Sequence, residues 1–158
     1  MSNVADRTGP ERSLPRGALF GVAAGVLARV AWFLVVIGTN SIQAYLVPLF
    51  GVVVAYGVFA GMRRPGVQAA VLAIAITAVS VVMAMFYVER HVLVKSFNDN
   101  GDALHIPLVP YVDWVVAVLR HAASTSLSLP LYFLIAVVVA GWFGHQGFES
   151  HDPRLRRP

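Results

Sequence analysis

The sequence predicts an all-α integral membrane protein: a four-transmembrane-helix bundle with an interfacial helix in its outer loop. Three observations predict it. Hydrophobic residues make up 58% of the 158 positions and charged residues only 13%, with a mean hydropathy of +0.70, too apolar for a chain that must solvate its own surface. Four windows, 17–38, 42–62, 67–88 and 126–144, approach or reach the roughly 20 apolar residues that cross a bilayer as a helix. The arginines cluster in the short segments between windows and at the two termini, the pattern that fixes orientation in a membrane.

Residues 1–16 form a polar N-terminal tail ending in Pro15-Arg16. The apolar run after it is longer than a signal-peptide core and has no clear A-x-A site, so 17–38 is expected as a retained first span. Gly21 and Gly25 form a GxxxG pair in that span. The second span, 42–62, follows Thr39-Asn40-Ser41 and carries a GxxxG pair of its own, Gly57 and Gly61. Pro48 lies inside this window and removes a backbone donor, which predicts a kink. Arg63-Arg64-Pro65-Gly66 then turns the chain into the third span, 67–88, where Ala70, Ala73, Thr77, Ser80 and Ala84 form a small, weakly polar stripe. Connections this short make consecutive spans antiparallel neighbours, and small residues let helix backbones approach closely in lipid.

The outer loop is expected over 89–125. It opens with Glu89-Arg90-His91 and passes through the turn formers Asn98-Asp99-Asn100-Gly101-Asp102. After Pro107 and Pro110, residues 111–122 have helical character, with Tyr111, Trp114, Val115 and Val118 on one face. An interfacial helix fits this pattern, because a fifth span over 106–123 would bury both Asp113 and Arg120. The fourth span, 126–144, repeats small residues at Ala136, Ala140 and Gly144, and a basic tail, 145–158, closes the chain.

In this arrangement Arg7, Arg12, Arg16, Arg63, Arg64, Arg154, Arg156 and Arg157 share one side, against Arg90, Lys95 and Arg120 on the other. Both termini are therefore expected in the cytoplasm, with Arg63, Arg64, Arg154, Arg156 and Arg157 as topology anchors. Arginine outnumbers lysine eleven to one, and with abundant Ala, Val and Gly this suggests the plasma membrane of a bacterium with a GC-rich genome.

Arg29 is the one formal charge deep within a span. It lies twelve residues beyond Gly17, about 18 Å along the helix, on the face that carries Gly21 and Gly25. A charge at that depth costs roughly 2.5 to 3.5 kcal/mol on insertion scales and far more in simulations of isolated helices. The bland expectation is a guanidinium that snorkels outward or bonds to Thr77, Ser80 or free carbonyls, with Trp32 offering a cation-π face. The functional expectation is an anion or lipid-headgroup site, or a salt bridge to an acidic residue of a partner, since no carboxylate of this chain stands at matching depth and Glu89 is the nearest.

No catalytic constellation is present. With no cysteine, disulfides, thiol redox relays, Cys-ligated metals and covalent haem attachment are excluded. His91, His105, His121, His145 and His151 all fall in loops or at span ends, which argues against a haem held between spans. His145 and Glu149, with His151 and Asp152 after them, have a spacing compatible with a metal, but a solvated juxtamembrane tail is the simpler reading. No metal, no cofactor and no enzymatic activity are expected. The positive net charge does not signal nucleic acid, because the arginines flank apolar spans instead of forming a stripe among aromatics.

Gly25, Trp32, Gly38, Tyr45, Gly51, Tyr56-Gly57 and Gly61 ahead of Arg63-Arg64-Pro65-Gly66, with a fainter echo in residues 131–144, resemble small multi-pass membrane proteins of an actinobacterial type that mostly have no assigned function. The resemblance covers about half of the chain and implies the fold and the organism class. It carries over no functional residue, and in that pattern the position of Arg29 is usually small or apolar.

The sequence thus predicts an accessory or interaction subunit of a membrane complex, whose partners are the lipid bilayer and another membrane protein or further copies of itself. The alternative is a small oligomeric transporter or channel in which Arg29 forms an anion or headgroup site. Small multidrug exporters share the four-span plan but couple transport through an acidic residue in the first span, where this chain has a cation.

Overall fold

The computed structural model describes residues 13–101, 106–125 and 128–148. Five α-helices follow in order: α1 (Ser13–Thr39), α2 (Val47–Met62), α3 (Val67–Asp99), α4 (Val112–Thr125) and α5 (Ser128–Gln146), with a 3₁₀ turn at Ala44–Leu46 before α2. No strand occurs among the described residues. Four helical stretches, Leu14–Thr39, Ala44–Met62, Val67–Asp99 and Ser128–Gln146, are long and apolar enough to cross a membrane. The protein is an all-helical, multi-pass membrane protein.

Local chemistry sets the helix boundaries. Pro48 falls in the first turn of α2, where its missing N–H would have had no intrahelical acceptor. It therefore lies at the start of the helix, next to the 3₁₀ turn, and the kink expected inside the span has no proline to cause it. Arg63 ends α2 in the left-handed conformation, φ 54°, and its N–H donates to the Phe59 carbonyl at 2.7 Å. Gly66, at φ 142°, precedes α3, a backbone state that suits glycine. Gly147, at φ 78°, ends α5 with its N–H on Phe143 O at 2.8 Å. That turn lays Phe148 flat on Phe143, ring centroids 4.9 Å apart.

The main departure from expectation is α3. Its apolar window ends at 88, but the helix continues through Glu89, Arg90 and His91 to Asp99, 33 residues in all. That is about 50 Å at 1.5 Å per residue, so its last turns stand beyond the end of α1. The helix of the outer loop spans 112–125 and packs on α3 and, more lightly, on α5.

Helices α2 and α3 form a central pair in contact with each other, flanked by α1 and α5, each of which packs on both. Within its most apolar stretch only 22% of α1 is buried, against 50% of α3, which makes α1 a peripheral helix. Two apolar clusters fill the interior. Trp32, Phe50, Val81, Met85 and Leu129 anchor the one toward the loop end of the bundle, and Val54, Val58, Ala69, Ala73 and Ala140 the one toward the end that carries Arg16, Arg63 and Arg64, called here the basic end.

The glycines show why the backbones come so close. A Cβ on Gly57 would lie 2.7 Å from the Phe20 carbonyl oxygen, and one on Gly61 would press against the Arg16 carbonyl and Gly17 Cα. The GxxxG of α2 is thus the seam with α1. Gly51 abuts the backbone of Ala136 and Ala140 on α5, and a Cβ on Gly144 would lie 2.7 Å from Ala70 Cα on α3. Gly21 faces Val58 and Ile76, and Gly25 faces Val54 and Ser80, so the GxxxG of α1 lies in the cleft between α2 and α3.

Candidate functional site

Helices α1 and α3 run parallel in a fixed register. Gly17 faces Leu72, Gly21 faces Ile76 and Gly25 faces Ser80, and beyond them Lys95 Nζ donates to Asn40 Oδ1 at 2.8 Å. All four pairs share an offset of 55 positions. The same offset brings Arg29 level with Ala84, near the middle of both helices.

Between the two helices lies a groove of about 330 Å³, lined by Val22, Val26 and Arg29 on α1 and by Ala75, Ile76, Val79 and Ser80 on α3. Val22, Val26, Ala75 and Val79 are exposed on the outside of the bundle, and Arg29 is half-buried. Every lining residue on α3 lies on the basic-end side of Ala84. Helical side chains lean toward the N-terminus of their own helix, and Arg29 bounds a groove whose other lining residues all lie in that direction, away from the nearer, loop end of α1.

Arg29 forms no hydrogen bond, ion pair or cation-π contact with any described residue. The expected bonds to Thr77 and Ser80 are not made. Trp32 does not serve as a cation-π platform either: its indole N–H donates to the Gln43 carbonyl at 3.2 Å, and its ring meets Phe50 edge-on at 5.8 Å. Thr77 is fully buried with its hydroxyl unpaired. Ser80 is 8% exposed, wedged against Gly25, and has no hydrogen-bond partner among the described residues.

A second set of polar contacts organises the loop end. Arg90 donates from Nε and Nη2 to the Ile106 carbonyl at 3.1 and 2.9 Å, and from Nε to Pro107 O at 3.3 Å. One guanidinium thus holds the segment leading into α4, and Ile106 is buried beneath it. Glu89, 7% exposed, has the His121 imidazole of α4 as its electrostatic partner. His91 meets the Phe33 ring at 5.7 Å. Val36, Asn40, His91, Lys95 and Asp99 are among the residues around a cleft of about 310 Å³ where α3 outreaches α1.

The remaining expected residues are accounted for by position. Gly21, Gly25, Gly57, Gly61, Ala136 and Ala140 all lie at helix contacts. Arg63 and Arg64 are exposed at the basic end, and His145 is exposed at the end of α5. His105, Glu149, His151, Asp152, Arg154, Arg156 and Arg157 lie outside the described residues. Among the described residues no three His, Asp or Glu side chains converge as a metal site would require. Sequence reasoning missed the Arg90 clamp and the Lys95–Asn40 tie. Neither leaves a local signal, because each joins segments brought together only by the fold.

Comparison with protein-family models, with characterised proteins and with solved structures finds no match to this chain. The site must be read from its own chemistry.

Proposed function

We propose that this protein is a non-catalytic accessory or interaction subunit of a membrane complex, resident in a bacterial plasma membrane with both termini in the cytoplasm. One observation carries the reading. Arg29 stands near the middle of the peripheral spanning helix α1, half-buried and without a compensating group among the described residues. Charges in such positions face a bundle interior, a partner or a water-filled path, and here no described residue of the interior pairs with it.

The test is purification of the tagged chain from native membranes in mild detergent, wild type beside Arg29→Leu, with mass spectrometry of what stays bound. A stoichiometric membrane partner that the variant loses supports the reading. Recovery of the chain alone, or of a homo-oligomer alone, overturns it.

The groove beside Arg29 favours a second reading, a small oligomeric transporter or channel with an anion or headgroup site at Arg29. Anion flux in liposomes that disappears in Arg29→Leu is its signature.

A further inference from the structure

We infer that the groove between α1 and α3 seats a partner's transmembrane helix, one that presents a carboxylate to Arg29 and Ser80. The inference rests on the interaction-subunit reading and specifies where and by what chemistry the partner docks.

The walls define the occupant's body. Val22 and Val26 on one side and Ala75, Ile76 and Val79 on the other offer only aliphatic surface, with small and branched side chains between which another helix can interdigitate. In lipid such packing, together with interhelical hydrogen bonds, is what drives helices together. The polar groups define the rest. Arg29 brings five donors that no described residue accepts, and Ser80, more than nine-tenths buried, brings into the same groove a hydroxyl without a partner among the described residues. A carboxylate matches both, since it takes two N–H bonds from a guanidinium and retains lone pairs for a hydroxyl.

Depth decides for a protein carboxylate over a lipid phosphate. Arg29 lies 16 residues from the first residue of α1 and 10 from the last, about 24 and 15 Å along the axis. A side chain that leans toward the N-terminus of its own helix, into the groove shared with Val26 and Ser80, brings its guanidinium close to the helix midpoint, at the level of the hydrocarbon and not of the headgroup layer. A phosphate would have to leave the interface to reach it, whereas a transmembrane helix can carry Asp or Glu at that level.

A second copy of this chain does not meet the requirement. Among the described residues, two carboxylates lie in a spanning helix: Glu89 is buried and faces His121, and Asp99 is the last residue of α3, beyond the end of α1 and far from the level of Arg29. The occupant is therefore a different polypeptide.

The experiment uses the full chain in liposomes and two synthetic transmembrane helices of about 20 apolar residues, identical except for a central Glu or Gln. Association is read by energy transfer, and contact by a photocrosslinking residue placed at Val79. The Glu helix is expected to bind about 3- to 30-fold more tightly than the Gln helix, the range of an interhelical polar contact in lipid. Arg29→Leu should abolish that difference, Arg29→Lys should keep part of it, and Val79 should crosslink to the Glu helix. Equal binding of the two helices, a difference that survives in Arg29→Leu, or crosslinks from Val79 only to lipid or to a second copy would overturn the inference. The same crosslinker in native membranes distinguishes a partner seated in the groove from one bound elsewhere. A partner that copurifies but is never reached from Val79 leaves the interaction-subunit reading standing without the groove. A groove that binds the Glu helix while no partner copurifies removes that reading and keeps the groove chemistry.

Discussion

Gly51 of α2 lies directly against the backbone of Ala136 on α5, so close that any Cβ at Gly51 would collide with the Ala136 carbonyl oxygen. Unlike a flexible side chain, a helix backbone cannot swing aside. Gly51→Ala is therefore expected to destabilise the bundle by about 1 to 3 kcal/mol, the usual cost of overpacking. Gly38 is the control: a Cβ there meets nothing within 4 Å, and Gly38→Ala should be neutral or slightly stabilising. Unfolding of the purified protein in mixed micelles by increasing SDS measures both. Equal midpoints for the two variants would refute the close approach of α2 and α5.

The Arg90 clamp leads to a local prediction. Its guanidinium serves two consecutive carbonyls, Ile106 and Pro107, on the segment that delivers α4. Replacement by Met keeps most of the apolar stem and removes the donors, at a cost of about 1.5 to 3 kcal/mol, typical of hydrogen bonds to a charged group. That loss should fall on the loop and not on the four spans. In Arg90→Met, amide exchange is expected to accelerate across 106–125 while α2 and α5 keep their protection. Unchanged exchange over 106–125 would show that α4 is held by other contacts.

These two cases show how much of the protein is legible in its sequence. The spans are legible because a helix that crosses lipid must be apolar over its whole length, and the seams are legible because GxxxG and small-residue repeats have few other uses there. The end of α3 is not. Glu89-Arg90-His91 reads as the start of a loop, yet the helix continues because Glu89 finds His121, Arg90 finds two carbonyls and His91 finds Phe33. Each partner lies on another element. Arg29 was legible as an anomaly, but the groove beside it depends on the α1/α3 register, which no single helix encodes.

Orientation is testable without removing any native residue that reacts, because the sequence contains no cysteine. Gln68, exposed in the first turn of α3, and Asn100, exposed at its end, lie at opposite ends of one 33-residue helix. In intact cells an impermeant maleimide is expected to label Asn100→Cys and to spare Gln68→Cys until the membrane is opened. Labelling of Gln68→Cys alone would invert the orientation that the arginine distribution predicts.

Arg29 itself separates two free energies that are often merged. Replacing it with Leu removes a charge from the centre of α1, and on insertion scales that exchange favours membrane integration of the isolated segment by about 3 kcal/mol. Folding of the inserted bundle is a different equilibrium. The side chain has no hydrogen bond or ion pair to lose among the described residues, and it stays half-exposed in the folded bundle, so folding of the inserted chain gains little from it. Arg29→Leu should therefore insert far more readily in a translocon assay while its unfolding free energy in bicelles, without a partner, stays within about 0.5 kcal/mol of wild type. Ser80→Ala should be similarly silent, since its hydroxyl has no hydrogen-bond partner among the described residues. If Arg29→Leu instead destabilises the isolated bundle by more than about 1 kcal/mol, the guanidinium is bonded within its own chain and the case for an external carboxylate is lost. A silent substitution alone and a large loss of association with the Glu helix would together assign the charge to recognition and not to folding.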